Sequence, residues 1–375
     1  MSLIRNILWL ALVAVLAAGC KTAPVEEVAV TEVALPETKP FVMPSLVVST
    51  NQPVVSNTPP IVASPLPSVE TNKTNSALAA PAAPAAPASG WITLESWALA
   101  NGLDKPQQIG QGRFAVATRT GVLVIQPGSQ AARWHGTQVW FGFAPKLVGG
   151  RLHVHRLDAQ KTLEPLLHPG EFAPTPGRVV VIDPGHGGAD GGTQGTKQQL
   201  EKNFALDWAL RVKALLHDKG WAVFLTRTND VDVALTNRVA LADHVSADLF
   251  VSLHFNGLSA AASHSGVEVF CLTPVGMPST VTRGFEDIVR MDFPNNAFDR
   301  ENLQYAFRLQ HELLAATRAT DGGVRRARFM GVLRGQRRPA VLIEGGFLSN
   351  ADEARRIATA DYRQKLAEAV AKALE

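Results

Sequence analysis

The sequence contains few cysteines. Only Cys20 and Cys271 occur among its 375 residues. Cys20 ends an apolar N-terminal segment, and Cys271 lies in GVEVFCLTP, a run that is typical of a buried strand. Because the context of Cys20 predicts a modified thiol, Cys271 has no disulfide partner, and a disulfide-stabilised fold is excluded. Cys271 is then expected to be a small core residue.

An excess of charge of one sign is also missing. The sequence has 36 basic and 33 acidic residues, which gives a net charge of +3. So small a net charge gives no general attraction to a polyanion, and we therefore exclude nucleic acid as a partner.

The N-terminal apolar run is too short to cross a bilayer. It covers residues 7–18, whereas a spanning helix needs about 20 apolar residues. Arg5 precedes the run and LAAGC ends it, an order that is typical of an export signal. LAAGC resembles a bacterial lipobox, which implies that residues 1–19 are a lipoprotein signal peptide and that Cys20 is lipidated. The alternative is an ordinary cleaved signal that happens to end in cysteine.

The composition divides the rest of the chain into three parts. Residues 20–90 are predicted to be a disordered tether, because residues 21–90 hold 12 of the 24 prolines and a single aromatic residue. Seventy such residues span roughly 45 Å as a flexible coil. Residues 91–168 show short alternating runs between glycine turns, which predict a small β-rich accessory domain.

Residues 176–375 alternate between strand and helix patterns. RVVVID is a continuous apolar strand of the kind found in parallel sheets, and EKNFALDWALRVKALLHDKG has helical apolar spacing. This alternation predicts an α/β fold with an open, mostly parallel sheet flanked by helices.

Four polar residues are predicted to meet at one edge of this sheet. His186 follows the first strand, His254 and Glu344 lie at the ends of two later strands, and Glu201 opens a helix. Ligands bind outside the carboxyl ends of the strands in open α/β sheets. Two imidazoles and a carboxylate form a catalytic zinc set, and a second carboxylate can transfer protons. Taken singly, each residue could instead be structural.

The loop around His186, IDPGHGG, contains proline and several glycines. Pro184 fixes the backbone at the strand end, and the glycines permit a sharp turn that directs His186 to the edge of the sheet. A phosphate-binding loop is the competing interpretation. It is disfavoured because the Gly-Lys-Ser/Thr ending is absent and Asp190 occupies the position of a third glycine.

The motifs IDPGHGG, EKN, SLHFN and LIEGGFLSN, in this order, resemble those of the zinc-dependent N-acetylmuramoyl-L-alanine amidases, which are cell-wall hydrolases. VRRARFMGVLR also resembles the family's segment before the last strand. The resemblance implies that Zn²⁺ is held by His186, Glu201 and His254 and that Glu344 is the catalytic residue.

The resemblance implies hydrolysis of the amide between N-acetylmuramic acid and L-alanine of the peptidoglycan stem peptide. Asn256 and Arg334 are predicted to contact substrate, although Asn256 could equally brace its strand end. The expected partners are peptidoglycan, the membrane that holds the lipid anchor, and a protein regulator. We expect an exported protein that faces the periplasm or cell wall, on the outer membrane where one is present. Another cell-wall zinc hydrolase (a carboxypeptidase or deacetylase) or a non-catalytic peptidoglycan-binding protein is the alternative.

Overall fold

A computed structural model describes residues 90–119, 121–170, 177–195, 199–257, 264–281 and 287–375. The predicted signal peptide, the lipidation at Cys20 and all of the predicted tether except residue 90 lie outside the described residues. Among the helices that are described, none combines the length and the apolar character that a membrane span requires.

Strands occur both in the β-rich segment and in the C-terminal part of the chain. They are β1 (Trp91–Thr93), β2 (Gln107–Ile109), β3 (Arg113–Ala117), β4 (Val122–Ile125), β5 (Ala131–Trp134), β6 (Thr137–Trp140), β7 (Lys146–Val148), β8 (Arg151–His155), β9 (Val179–Pro184), β10 (Ala222–Leu225), β11 (Leu249–Asn256), β12 (Val267–Cys271), β13 (Asp321–Arg326) and β14 (Ala340–Phe347).

Most of the longer helices lie in the C-terminal part. They are α1 (Leu94–Ala100), α2 (Arg156–Asp158), α3 (Glu164–Leu167), α4 (Glu201–Asp218), α5 (Leu235–His244), α6 (Asp299–Thr317), α7 (Gly331–Arg334), α8 (Ala351–Ile357) and α9 (Ala360–Ala373), with a π-helical turn at Ala159–Leu163 and a 3-10 turn at Pro294–Phe298.

The central sheet has helices on both faces, as its apolar strands require. In the described residues its order is β10-β9-β11-β14-β12-β13-β6-β5-β4-β3-β2, and β10, β9, β11 and β14 run parallel. Alternate residues of β9 enter two cores: Val180 and Ile182 pack with Trp208 of α4, and Val181 packs with Leu333 of α7. The predicted α/β fold with helices around a mostly parallel sheet is confirmed.

The β-rich segment continues this sheet. β6 pairs in parallel with β13 at Val139 and Val324, and strands β2 to β6 extend the sheet as an antiparallel meander. A second, three-stranded sheet has the order β1-β8-β7. The β-rich content is confirmed, whereas the domain boundaries at 91–168 and 176–375 stay predictions. Sequence patterns did not indicate β13, because DGGVRR has two glycines and no apolar alternation.

One buried polar group connects the β-rich segment to β13, and another holds that segment together from within. Arg326 of β13 is 1% exposed and donates a hydrogen bond from Nη2 to the Lys161 carbonyl at 2.5 Å. The buried carboxylate of Asp158 accepts the backbone N–H groups of Gly142 and Phe143 at 2.8 and 2.9 Å. Burial raises the pKa of Asp158 to about 6, although these hydrogen bonds and the charge of Arg326 oppose the shift.

We expect Asp158→Asn to change how stability depends on pH. Because the folded-state pKa lies above the usual 3.8, Asp158 stabilises the fold most below about pH 4. This contribution, about 3 kcal/mol, is lost as the pH rises through about 6. Between pH 4 and 7, urea titrations followed by tryptophan fluorescence should show a smaller fall in the free energy of unfolding for the variant than for the wild type. Asp218→Asn, at an exposed carboxylate, is the control. Equal pH slopes for Asp158→Asn and the wild type would contradict the prediction.

Candidate metal centre

The structure brings the three predicted metal ligands together. His186 follows β9 by two residues, His254 lies two residues before the end of the neighbouring strand β11, and Glu201 is the first residue of α4. One nitrogen of each imidazole and one carboxylate oxygen of Glu201 lie within 4.8 Å of one another. No other such group of three occurs in the described residues.

The carboxylate of Glu201 lies between the two imidazoles. Its Oε2 atom is 3.2 Å from His186 Nε2, and its Oε1 atom is 2.9 Å from His254 Nδ1. The two rings are 4.9 Å apart between centroids and nearly perpendicular. The side chain of Glu201 is 3% exposed, so both imidazoles lie against an almost fully desolvated carboxylate.

The surroundings of Glu201 favour its ionised form. Burial alone would raise its pKa, but hydrogen bonds and Coulombic attraction from His186 and His254 hold the pKa of Glu201 well below its usual range. The backbone N–H groups of Thr193 and Phe255 donate to its two oxygens at 2.8 and 2.9 Å. Its position in the first turn of α4 adds the favourable end of the helix dipole. An anionic ligand is therefore fixed in place.

His186 adopts a left-handed backbone conformation, with φ +60°. Two buried arginines hold the loop that carries it. Arg227 donates to the Gly185 carbonyl at 2.7 Å, and Arg238 donates to the Pro184 and His186 carbonyls, both at 2.8 Å. The conformation of the loop is thus fixed by the guanidinium groups of two buried arginines.

Asp183 supports this loop indirectly. Its carboxylate accepts hydrogen bonds from Arg238 and Thr226, both at 2.6 Å, and from Ser252 at 2.7 Å. The carboxylate therefore orients the arginine that binds the loop and makes no contact with an imidazole.

Asp190 is a functional candidate that sequence patterns did not indicate. Its Oδ2 atom lies 2.7 Å from His186 Nδ1, the ring nitrogen opposite to the one that faces Glu201. Burial alone would lower the pKa of His186, but Glu201 and Asp190 together raise it to about 9. A carboxylate on the outer nitrogen fixes the ring and its tautomer in metal sites. The only signal in the sequence was an acid four residues after the loop histidine.

Two glycines of the loop make room for the ligands themselves. A Cβ atom on Gly185 would lie 2.2 Å from Cε1 of His254. A Cβ atom on Gly192, where φ is +67°, would lie 2.6 Å from both Glu201 Oε2 and His186 Cδ2. The glycines are therefore required for the packing of the ligand cluster, in addition to the sharp turn that the sequence predicted.

Glu344 lies beside this cluster. It is the register partner of His254 on the adjacent parallel strand β14, so both side chains project from the same sheet face. Glu344 is also opposite Glu268 on β12. The predicted catalytic carboxylate thus stands next to one imidazole, on the sheet face that carries α5 and α7.

The two predicted substrate contacts make other interactions. Asn256 donates from Nδ2 to Glu268 at 3.1 Å, which is the bracing role considered as its alternative. The Arg334 guanidinium lies 5.4 Å from the centroid of the Phe293 ring and lines a cavity of about 250 Å³ together with Arg328. Substrate binding by Asn256 and Arg334 stays a prediction.

The donor set suits a zinc ion. Two imidazoles and one carboxylate are the ligand types of catalytic zinc sites, which leave one position for water or substrate. With one ligand atom from each residue, the three atoms lie within 4.8 Å of one another, which is close enough for all of them to face a single ion.

We expect Gly185→Ala to weaken metal binding while leaving the fold intact. The added Cβ must displace the His254 ring, because it would lie 2.4 Å from Nε2. Loss of ligand orientation typically reduces metal affinity about 10- to 100-fold. Zinc affinity can be measured by competition with a chromophoric chelator, with circular dichroism as the check on folding. Gly110→Ala is the matched control, since its Cβ would meet nothing within 4 Å. An unchanged affinity in Gly185→Ala would contradict the prediction.

Comparison with known proteins identifies the family. Residues 180–375 match the model of the Amidase_3 family, described as N-acetylmuramoyl-L-alanine amidase. The chain is 30% identical to Escherichia coli AmiC over 236 residues, which cover 56% of each chain, and 30% identical to Escherichia coli AmiA over 215 residues, which cover 52% of this chain and 74% of AmiA. Both relatives are named N-acetylmuramoyl-L-alanine amidases.

The chain spans just over half the length of AmiC. Among solved structures, the amidase AmiC2 of Nostoc punctiforme is 31% identical and aligns with a TM-score of 0.45 over 53% of this chain and 97% of that chain. The family model covers more than half of the present sequence, and the match to AmiA covers most of AmiA. The chain therefore belongs to the N-acetylmuramoyl-L-alanine amidase family.

Proposed function

We propose that this protein is a zinc-dependent peptidoglycan amidase. It hydrolyses the amide between the lactyl group of N-acetylmuramic acid and L-alanine of the stem peptide. The observation that carries this proposal is the His186–Glu201–His254 cluster, with the Glu344 carboxylate in register beside His254. Membership of the amidase family supports the choice of substrate.

In this proposal His186, Glu201 and His254 would hold the zinc ion. When bound, zinc would supply Lewis-acid chemistry, which polarises a carbonyl and makes a water nucleophile available near neutral pH. Asp190 keeps the His186 ring in the orientation that presents Nε2.

Glu344 transfers the protons of the reaction. Its carboxylate takes a proton from the attacking water and then donates that proton to the alanine nitrogen, because an amine leaves poorly as an anion. The position of Glu344 next to His254 suits this role, since a general base must lie within hydrogen-bond reach of the attacking water.

Product analysis tests this function. We expect the full chain, loaded with zinc, to release free stem peptides that begin with L-alanine from purified peptidoglycan, as identified by mass spectrometry. A chelator should abolish the release and added zinc should restore it. Glu344→Gln should reduce turnover about 10²- to 10⁴-fold while its zinc content stays unchanged. Glu368→Gln on α9 is the control.

Other products of the digestion would support the alternative functions. Loss of terminal D-alanine would indicate a carboxypeptidase, and release of acetate would indicate a deacetylase. Binding to peptidoglycan without any product would indicate a binding protein. Unchanged turnover in Glu344→Gln would overturn the mechanism.

We also propose that the protein is exported and anchored by lipid at Cys20. An enzyme on a long tether can reach the wall while it stays attached to a membrane. In a bacterial host, the wild type should incorporate labelled palmitate and fractionate with membranes, whereas Cys20→Ser should do neither. An unlabelled wild-type protein would overturn the proposal, and labelling without membrane fractionation would overturn the anchoring.

A further inference from the structure

A row of side chains leads from the proposed catalytic carboxylate towards the β-rich segment. Glu344 on β14 is opposite Glu268 on β12, and Glu268 is joined to Arg325 on β13. The Arg325 guanidinium lies over the ring of Trp140 on β6, 3.9 Å from its centroid. The row therefore crosses four neighbouring strands of one sheet.

Glu268 fixes the near end of Arg325. It is 7% exposed, and its Oε1 atom accepts a hydrogen bond from Arg325 Nε at 2.9 Å. Its Oε2 atom accepts the Asn256 side chain at 3.1 Å. Because both oxygens are used within the protein, Glu268 orients the arginine and is not itself available to a substrate.

Trp140 fixes the plane of the same guanidinium. Its indole N–H donates to the Gly322 carbonyl at 2.9 Å, so the ring is held in place. Among the described residues, neither Nη atom of Arg325 has a hydrogen-bond acceptor, and 17% of the side chain is exposed. By contrast, Arg326 directs both Nη atoms to groups within the protein. Arg325 is thus held through Nε and its guanidinium plane, while its two Nη atoms have no acceptor among the described residues.

The distance between Glu344 and Arg325 indicates which part of the substrate Arg325 can contact. β13 is two strand spacings from β14, which is roughly 10 Å. An extended peptide advances about 3.3 Å per residue, so Arg325 is about three residues from the scissile amide. A guanidinium fork recognises carboxylates. The lactyl carboxyl of the sugar is consumed in the scissile amide itself, so the remaining carboxylates belong to the stem peptide.

We propose that Arg325 binds a carboxylate of the stem peptide, two to three residues beyond the scissile amide, and that Glu268 and Trp140 are its positioning residues. The inference rests on the proposed amidase function. It gives the β-rich segment a part in substrate recognition, because Trp140 comes from that segment and stacks on the arginine from β13.

Two soluble muramyl peptides separate recognition from structure. They differ only in that the stem-peptide carboxylates are free in one and amidated in the other. For the free-acid substrate, Arg325→Met should reduce kcat/KM about 10-fold or more, mainly through KM, since the contact is made equally in the ground and transition states. For the amidated substrate, the variant should match the wild type. Arg325→Lys should retain part of the difference between the substrates.

The matched control is Arg363→Met. Arg363 also pairs with a carboxylate, Asp207, and lies over an aromatic ring, Phe204, but it packs against α4 on the other face of the sheet. Arg363→Met should lower kcat/KM by the same factor for both substrates, or leave it unchanged for both. An equal loss on both substrates in Arg325→Met, or no loss on either, would overturn the inference. If the wild type cleaves neither substrate at the N-acetylmuramic acid bond, the proposed function itself fails.

Discussion

The structure around the site depends on one buried carboxylate. Glu201 is almost fully removed from water, and a charge in such a place is costly unless it is paired. Two imidazoles, two backbone N–H groups and the first turn of α4 all supply this pairing. Because these donors come from different elements, the requirement of one acid fixes the relative positions of the β9 loop, the end of β11 and the start of α4.

The glycine-rich loop is held by the protein interior. Its carbonyl groups are bound by Arg227 and Arg238, and Asp183 in turn binds Arg238. A buried hydrogen-bond network is destabilising when it is only partly satisfied. In this network Arg227, Arg238 and Asp183 all have hydrogen-bond partners. The loop has few side chains of its own, so its shape is determined by groups that come from the segment after β10, from α5 and from β11. This arrangement can keep a histidine in a left-handed conformation without relying on local preference.

The β-rich segment extends the central sheet beyond β13. In the described residues, β13 is followed by β6 of that segment, so the central sheet does not end at an exposed strand there. Open strand edges invite pairing with other chains, and the meander covers this one. The same junction places Trp140 on Arg325 and the buried Arg326 against Lys161. The pairing of β6 with β13 therefore both covers a strand edge and brings Trp140 next to Arg325.

The sequence by itself determined the α/β architecture and the three candidate ligands. Apolar periodicity and strand-end position are local properties, and His186, Glu201 and His254 each stood out by where they occur in their elements. Asp190, Glu268 and the two loop-binding arginines, Arg227 and Arg238, could not be predicted in this way. Charged residues in loops and short strands are usually solvated, and only folding shows which of them are buried against a partner. The course of β13 was likewise decided by its neighbours, because a strand with two glycines and no apolar alternation acquires its conformation from the pairing of β12 and β6 on either side.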